Sequence, residues 1–287
     1  MSLKFTVARL LRQVLVRRIS FAEDFVGELA MTRPDIVARR ADKVLQALSS
    51  DQQLAVLRSV WQERPMDVIK TVNAHTGKGF RYVGNGMTKV ILGAGSQQAE
   101  GWLSTDIEHL DLVAAPAWHR MFLPSSVDRM LAEHVFEHLS LPELQQALRH
   151  VHSYLKPGGR LRLAVPDAFH PSRYYYNLVK PGGWETPLEH KLFLDHEMLT
   201  RIGTDTGLQV HLLEYFDGVG VFHAVDFDES DGAIRRCARN NIGLDTANPE
   251  IMSRFHASIP EHLRQQFIDR GMSYTSLIAD LVKPENA

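Results

Sequence analysis

The stretch Lys89-Val-Ile-Leu-Gly-Ala-Gly95 decides the fold of this chain, and Asp106 follows eleven positions after its last glycine. Consecutive apolar residues followed by two closely spaced glycines are typical of a buried parallel strand that opens into a loop where backbone approaches a ligand. An acidic residue at the end of the next strand can bind the hydroxyl groups of a ribose. The stretch therefore predicts a nucleotide-like cofactor at the carboxyl edge of a parallel sheet.

Around this stretch, short apolar segments alternate with helical or loop segments, which is typical of a sheet covered by helices. We expect strands at residues 90–92, 103–106, 129–132, 160–165, 209–215 and 274–282. The strongest helical pattern begins near Ser140, with Glu143 in its first turn, and ends before Pro157-Gly158-Gly159. The predicted fold class is α/β, with a Rossmann-like and mostly parallel sheet.

The first 85 residues differ from the rest in pattern and charge. They contain 14 basic and 8 acidic side chains, whereas the remaining residues contain 18 and 26. The patterns predict a helical N-terminal extension, residues 1–85, and a main domain, residues 86–287. Residues 1–20 have the pattern of a basic amphipathic helix. Docking on its own domain is the favoured interpretation, and a peripheral membrane contact or a homo-oligomer contact stays open.

The composition excludes several classes of protein. No run approaches the roughly 18 apolar residues of a membrane-spanning helix, and Cys237 is the only cysteine, which excludes an internal disulfide. The acidic balance after residue 85 disfavours a nucleic-acid partner, because it would repel a phosphate backbone. We expect a cytoplasmic protein, with a peripheral membrane association left open.

The spacing discriminates among nucleotide-like cofactors. A dinucleotide site has a third glycine opening a helix and an acidic residue about 20 positions further on. Here Ser96-Gln97-Gln98 follow the second glycine, and Asp106 comes too early. The chain also lacks a Gly-Lys-Ser or Gly-Lys-Thr phosphate loop. The pattern therefore favours neither hydride transfer nor a nucleoside triphosphate.

Together with the glycine stretch, several motifs in order resemble the class I methyltransferases that use S-adenosylmethionine, and more narrowly a branch similar to type 11. The motifs are Gly101-Trp-Leu-Ser-Thr-Asp-Ile107, Ser126-Val-Asp-Arg-Met-Leu-Ala-Glu-His-Val-Phe-Glu-His-Leu139, Tyr154-Leu-Lys-Pro-Gly-Gly-Arg-Leu-Arg-Leu-Ala-Val-Pro-Asp167, Glu214-Tyr-Phe-Asp217, Asp231-Gly-Ala-Ile-Arg-Arg236 and Tyr274-Thr-Ser-Leu-Ile278. The resemblance covers residues 88–284. It implies S-adenosylmethionine as the cofactor and an antiparallel last strand.

The resemblance also implies a cofactor site. The glycine loop would present backbone to the methionine part of the cofactor, Asp106 would bind the ribose, and the segment before the third strand would contact adenine. The candidate cofactor residues are Gly93, Ala94, Gly95, Asp106, Leu123 and Glu133. The chain departs from the family pattern in lacking a third glycine and in its short first helix, which puts affinity and loop geometry in doubt.

Polar side chains after the third and fourth expected strands converge on the same sheet edge. The candidate catalytic residues there are His134, Asp167 and His170. His134 is the preferred general base, because imidazole titrates near neutral pH and similar methyltransferases often place a histidine after this strand. The alternative is that His134 or His138 packs against the helix that follows.

The segment after Asp167 predicts an aromatic lid over the acceptor, since it contains Tyr174, Tyr175, Tyr176 and Trp184. Two histidines four residues apart, His134 and His138, lack the glutamate placement of a zinc protease motif. Residues 226–232 lack the spacing of a calcium loop and are interpreted as a solvated turn before a helix at residues 233–239. We therefore assign no metal site from the sequence, and a loosely bound divalent cation that assists an acceptor hydroxyl stays open.

The expected function is methyl transfer, as an O-methyltransferase, to a small hydroxylated acceptor such as a sugar or glycan unit. The alternative is a catalytically silent cofactor-binding or scaffold protein whose basic helix mediates an oligomer or membrane contact. The missing third glycine favours the alternative, whereas Asp106 and the polar crevice favour the enzyme.

Overall fold

The computed structural model describes residues 87–184, 189–240 and 244–286. The chain divides into two units, Met1–Tyr82 and Val83–Ala287, and every described residue belongs to the second. The predicted helical extension at residues 1–85, with its basic helix, lies outside the described residues. Within them, no helix has the length and apolar content needed to cross a bilayer.

Seven strands and six α-helices are present among the described residues. The strands are β1 Lys89–Ile91, β2 Trp102–Ser104, β3 Val127–Glu133, β4 Leu155–Pro166, β5 Gln209–Phe216, β6 Phe222–Ala224 and β7 Ser276–Val282. The helices are α1 Ala115–Met121, α2 Leu141–Tyr154, α3 Arg173–Val179, α4 His196–Asp205, α5 Pro249–Ala257 and α6 Glu261–Arg270. Short 3-10 turns at Phe136–His138 and Glu229–Asp231 complete the elements.

The strands form one sheet in the order β2-β1-β3-β4-β7-β5-β6. β1 is parallel to β2 and β3, β3 is parallel to β4, and β7 is antiparallel to both β4 and β5. The predicted Rossmann-like sheet with an antiparallel last strand is confirmed. The short edge strand β6 was not predicted, because Phe222-His223-Ala224 contains no run of apolar residues and only Phe222 is buried.

The middle of the sheet is apolar because its strands are covered on both faces. Met130, Leu131 and Ala132 of β3 are buried, as are four apolar residues of β7, Leu277, Ile278, Ala279 and Leu281. α2 begins where the sequence predicts, since the backbone N–H and the hydroxyl of Ser140 both donate to the Glu143 carboxylate at 2.7 Å. These hydrogen bonds lower the pKa of Glu143 to about 2.

The segment after β6 differs in part from the prediction. Residues 233–239 do not form the expected helix, whereas residues 226–231 are exposed or partly exposed, as expected for a solvated turn, and are tied to the sheet by backbone carbonyls. Arg162 donates through Nη1 to the carbonyl oxygens of Asp228 and Gly232, at 2.6 and 2.9 Å. Its Nε and Nη2 donate to the carboxylate of Asp280, the residue opposite it on β7. The two carbonyls accept from Nη1 of a buried ion pair, which fixes the segment in place.

The same segment covers apolar surface beside β1. Ile234 and Cys237 pack in one cluster with Ile91, Ala94 and Leu131. Residues 92–101, which join β1 to β2, form turns and contain no helix. The chain after β6 therefore covers the part of the sheet next to the glycine stretch.

Candidate functional site

The loop after β1, residues 92–95 and here called the glycine loop, is tied directly to Asp106. Gly93 and Gly95 have φ values of +56° and +52°, in the left-handed region that favours glycine. The backbone N–H of Gly95 donates to Asp106 Oδ2 at 2.9 Å, and the N–H of Ile107 donates to Oδ1 at 2.7 Å. The two predicted parts of the cofactor site are therefore in contact.

The glycine loop also touches the turn that follows β3, residues 134–138 and here called the β3 turn. A Cβ atom on Gly93 would lie 2.7 Å from Cγ2 of Val135, so only glycine fits there without displacing that side chain. The buried Ala94 donates its backbone N–H to the carbonyl of Thr105. Three loops thus meet at the carboxyl edge of β1, β2 and β3, where open sheets place ligands.

His134 is the first residue of the β3 turn, and each of its ring nitrogens contacts another side chain. Its backbone has a φ of +57°. Nδ1 lies 3.1 Å from Glu137 Oε1, and Nε2 lies 2.9 Å from the hydroxyl oxygen of Ser276. An ionised carboxylate can only accept, so the proton is on Nδ1, and Nε2 of the neutral ring can accept from Ser276. This arrangement orients the imidazole and leaves a basic nitrogen at Nε2.

The carboxylate of Glu137 is the most deeply buried charge of the β3 turn, with 1% of its surface exposed. Burial raises its pKa, but the interaction with the nearby His134 ring is among the effects that lower it, and the pKa of Glu137 lies below the usual value. Neither carboxylate oxygen has a partner with good hydrogen-bond geometry among the described residues, although Oε1 lies within ion-pair distance of His134. The site therefore contains an ionised and incompletely satisfied acid.

Glu133, at the end of β3, is occupied by the segment that follows β6. Its Oε1 accepts the backbone N–H groups of Arg235 and Arg236 at 3.1 and 2.8 Å, and Arg235 Nε lies 3.5 Å from Oε2. Glu133 thereby fastens this segment beside the glycine loop. Its carboxylate acts here as a positioning group for protein backbone.

Asp167 and His170, in the turn after β4 (residues 167–170, here called the β4 turn), lie inside an aromatic core. The ring of His170 stacks on Tyr175 with centroids 3.9 Å apart and contacts Phe216 at 4.7 Å. Burial lowers the pKa of His170 to about 3. The carboxylate of Asp167 accepts the N–H groups of Phe169 and Phe216, and burial raises its pKa to about 7. Both side chains are buried and contact other residues of the core.

Leu123 lies at the opposite edge of the sheet from the glycine loop. Its carbonyl accepts the hydroxyl of Ser126, just before β3 begins at Val127. The adjacent Ser125 donates its N–H to Ser153 near the end of α2. This is the amino edge of the parallel strands, so the geometry does not bring Leu123 to the other candidate cofactor residues.

The aromatic segment after the β4 turn divides between core and surface. Tyr175 is buried, and its hydroxyl oxygen accepts the backbone N–H of Asp167. Tyr174 meets Trp184 edge to face at 5.7 Å, and Trp184 is 64% exposed. The segment then returns to the β3 turn, where the N–H of Lys191 donates to the carbonyl of Glu137 at 2.8 Å.

Two partners at the β3 turn were missed by sequence reasoning. Ser276 is far from His134 in the chain and was placed only as part of a buried strand. His190 lies in a segment without regular structure, and its Nε2 is 3.9 Å from Glu137 Oε1. The motif Tyr274-Thr-Ser-Leu-Ile278 contained Ser276, but no spacing rule connects it with a histidine on another strand.

One family model matches the central part of the chain. Residues 76–163 match the family model described as "Methyltransferase domain". This range contains the glycine loop, Asp106 and the β3 turn. No curated protein matches the chain.

Solved structures with a similar fold differ widely in what they act on. The putative methyltransferase solved with the Haloferax volcanii Trm112 methyltransferase activator aligns with 78% of this chain and 96% of its own, at 16% identity and a TM-score of 0.40. Haemonchus contortus phosphoethanolamine N-methyltransferase 2, bound to S-adenosyl-L-methionine, aligns over 71% and 50%, at 14% identity and a TM-score of 0.37. The chain thus spans half the length of that enzyme.

A third structure is the geranyl diphosphate C-methyltransferase of Streptomyces coelicolor, which aligns over 75% of this chain and 76% of its own, at 12% identity and a TM-score of 0.37. One of these enzymes methylates nitrogen and another carbon. At such identities the comparison carries no information about the acceptor of this chain.

Proposed function

We propose that this chain, which carries a class I methyltransferase domain, transfers a methyl group from S-adenosylmethionine to an oxygen atom of a small hydroxylated acceptor. The proposal rests mainly on one observation: the glycine loop contacts Asp106 and also contacts the β3 turn, which begins at His134. A cofactor site and a basic nitrogen therefore share one sheet edge.

The glycine loop and Asp106 fit the cofactor in different ways. The left-handed glycines allow backbone to approach a ligand closely. Each oxygen of the Asp106 carboxylate accepts one backbone N–H and keeps a further lone pair for a ribose hydroxyl. Ile107 is 74% exposed beside this acid and offers apolar surface to a flat purine. In the proposed site Ile107 replaces Leu123, and Glu133 acts by holding the segment beside the loop.

His134 is the proposed general base. Glu137 holds its proton on Nδ1, so Nε2 can take the proton of an acceptor hydroxyl that replaces Ser276 as its partner. The bound cofactor supplies the electrophilic methyl group. The chain's contribution is to align the acceptor oxygen and to receive its proton as the oxygen bonds to the methyl carbon. Asp167 and His170 are left out of this step because both are enclosed in the aromatic core.

The acceptor class is supported by an aromatic surface on the segment that follows the β4 turn. Trp184 and Tyr174 form an edge-to-face pair that includes a largely exposed indole ring. Aromatic faces of this kind bind the apolar face of a sugar ring or a phenol. A sugar or glycan unit is therefore the acceptor that we propose.

The cofactor part of the proposal is tested by calorimetric titration of S-adenosylhomocysteine into the wild-type protein, Asp106→Ala and Glu108→Ala. The wild type and the exposed neighbour Glu108→Ala should bind alike, whereas Asp106→Ala should bind about 100-fold more weakly because charged hydrogen bonds to the ribose are lost. A wild-type protein that does not bind S-adenosylhomocysteine would overturn the proposal.

A second candidate function is cofactor binding without turnover. It is favoured by one observation, that both ring nitrogens of His134 already have partners within the chain. In that case the calorimetric result would be unchanged, but no hydroxylated acceptor would be methylated by the wild type. A screen of sugars and phenols with labelled S-adenosylmethionine separates the two candidates.

A further inference from the structure

Two histidines, His138 and His190, lie beside the buried carboxylate of Glu137 and together with it can bind a metal ion. One ligand atom each from Glu137, His138 and His190 lies within 4.8 Å of the others. Glu137 and His190 are buried, and His138 is partly exposed. Among the described residues, neither oxygen of Glu137 has a well-formed hydrogen bond. A buried carboxylate without well-formed hydrogen bonds is stabilised by a cation beside it.

The two histidines are oriented as metal ligands are. Nδ1 of His190 lies 2.5 Å from the carbonyl oxygen of Val179, and Nδ1 of His138 lies 3.1 Å from the carbonyl oxygen of Glu189. A carbonyl can only accept, so both rings carry their proton on Nδ1 and keep a lone pair on Nε2. Metal-binding histidines almost always donate their second ring N–H to such an acceptor, which fixes the tautomer and the ring orientation.

We propose that Glu137, His138 and His190 bind one divalent transition-metal ion of the Zn²⁺ type. Two imidazoles and one carboxylate form a set that Zn²⁺ uses with a further position open to water or another ligand. The three ligand atoms now lie within 4.8 Å of one another. Since Zn²⁺–ligand bonds are about 2.0–2.2 Å long, a small movement would bring all three atoms within bonding distance of one ion. Mg²⁺ and Ca²⁺ fit less well, since both prefer oxygen ligands.

Such an ion would fasten two parts of the chain together. Glu137 and His138 belong to the β3 turn, whereas His190 lies in the segment that returns from α3. Backbone hydrogen bonds from Lys191 and Leu192 to the carbonyl of Glu137 already join these parts. The ion would add a link through side chains next to His134, and this role does not depend on methyl transfer.

A competing explanation uses His134 as the cation. Its Nδ1 lies 3.1 Å from Glu137 Oε1, so a protonated ring would offset the charge without a metal. The two explanations differ in what they require of His190, which is needed as a ligand by the metal but not by the ion pair with His134. His190→Gln is therefore the informative variant.

The experiment uses the full chain, stripped of metal with a chelator and dialysed, and then titrated with Co²⁺ and Zn²⁺. The wild type should bind one ion per chain, with visible Co²⁺ absorption that Zn²⁺ displaces. Removing one ligand in His190→Gln or Glu137→Gln should weaken binding by at least the roughly 10- to 100-fold seen when outer partners of metal ligands are lost. The matched control His211→Gln, at an exposed position of β5, should bind like the wild type.

Folding of each variant is checked by circular dichroism, and Zn²⁺ should raise the melting temperature of the wild type and of His211→Gln only. Two results would overturn the proposal: a wild type that binds no ion at stoichiometric concentration, or equal binding by the wild type and folded His190→Gln. Because neither measurement uses an acceptor, a failure here is distinct from a failure of the proposed methyl transfer.

Discussion

The β3 turn and the β4 turn follow neighbouring parallel strands, and each contains an acid and a histidine, but their surroundings differ completely. In the β3 turn, His134 faces the incompletely satisfied carboxylate of Glu137. In the β4 turn, His170 is enclosed by aromatic rings, and the carboxylate of Asp167 accepts two backbone N–H groups. The comparison shows that the residues packed around a polar side chain decide whether it is available for chemistry. Its residue type and its position after a strand are less informative.

The largest expected difference between the two turns is in their effect on turnover. His134→Ala should lower kcat about 10²- to 10⁴-fold, the usual contribution of a general base, while binding of S-adenosylhomocysteine is retained. His170→Gln should instead lower the free energy of unfolding by about 1–3 kcal/mol, because its buried hydrogen-bond partners are disturbed. Its kcat, corrected for the folded fraction, should stay close to that of the wild type.

These values come from steady-state kinetics on an acceptor identified by screening and from urea unfolding monitored by fluorescence. Full turnover by His134→Ala would remove the proposed base. Loss of turnover by a fully stable His170→Gln would show that the β4 turn also takes part in the reaction.

A second and smaller effect concerns the contact between the glycine loop and the β3 turn. Gly93→Ala and Gly95→Ala both place a side chain at a positive φ, which costs about 1–2 kcal/mol. Only Gly93→Ala also drives a Cβ against Val135, since nothing lies within 4 Å of the corresponding atom at position 95. Gly93→Ala should therefore be the less stable variant in urea unfolding. Equal stability of the two variants would contradict a tight contact between the loops.

The effect that is smallest in the wild type is on the pH dependence of stability, and it arises in the β4 turn. The pKa of Asp167 rises from 3.8 to about 7, so the folded chain keeps a proton that the unfolded chain releases. Its contribution is greatest below pH 3.8 and is lost as the pH rises through about 7. The pKa of His170 falls from 6.5 to about 3, and its contribution has the opposite sign, rising over that range. The two slopes offset each other in the wild type.

Replacing either residue should leave only the pH dependence of stability that the other residue causes. Between about pH 4 and 6.5, Asp167→Asn should become more stable as the pH rises, and His170→Gln less stable, each by up to about 1.4 kcal/mol per pH unit. As a control, Asp195→Asn keeps a side-chain oxygen for the N–H of Met198 but removes a charge that raises the pKa of Asp167. The loss of the Asp167 contribution should then be complete at a lower pH, because the pKa in the folded chain is lower and the pKa in the unfolded chain is unchanged. Parallel curves for all these proteins would contradict the assigned burial effects.

The sequence predicted the sheet better than the side-chain network. All six expected strands could be found because apolar runs bounded by glycine and proline are local patterns, and the start of α2 was visible in Ser140 and Glu143. The glycine loop and Asp106 were also predicted to act together, and the structure brings them into hydrogen-bond contact. These features depend on residues that are close in the chain.

The remaining parts depend on contacts between distant residues. His134 and Ser276 are 142 positions apart, and no spacing rule connects them. The predicted helix at residues 233–239 is absent because Arg162 and Glu133 bind backbone groups of the surrounding segment. Leu123 was assigned to the cofactor from motif order alone, although it precedes β3 and therefore lies at the opposite sheet edge.

The buried Arg162–Asp280 pair has a consequence for the order of folding. It joins β4 to β7 across 118 positions and anchors the segment that packs beside the glycine loop. During synthesis, this pair cannot form until the last strand has been made, and contacts of such long range are slow to form. A chain that ends near residue 163, where the family match ends, would contain the glycine loop and Asp106 but would lack the segment that packs beside the loop. The cofactor edge should therefore be one of the last parts of the domain to become native.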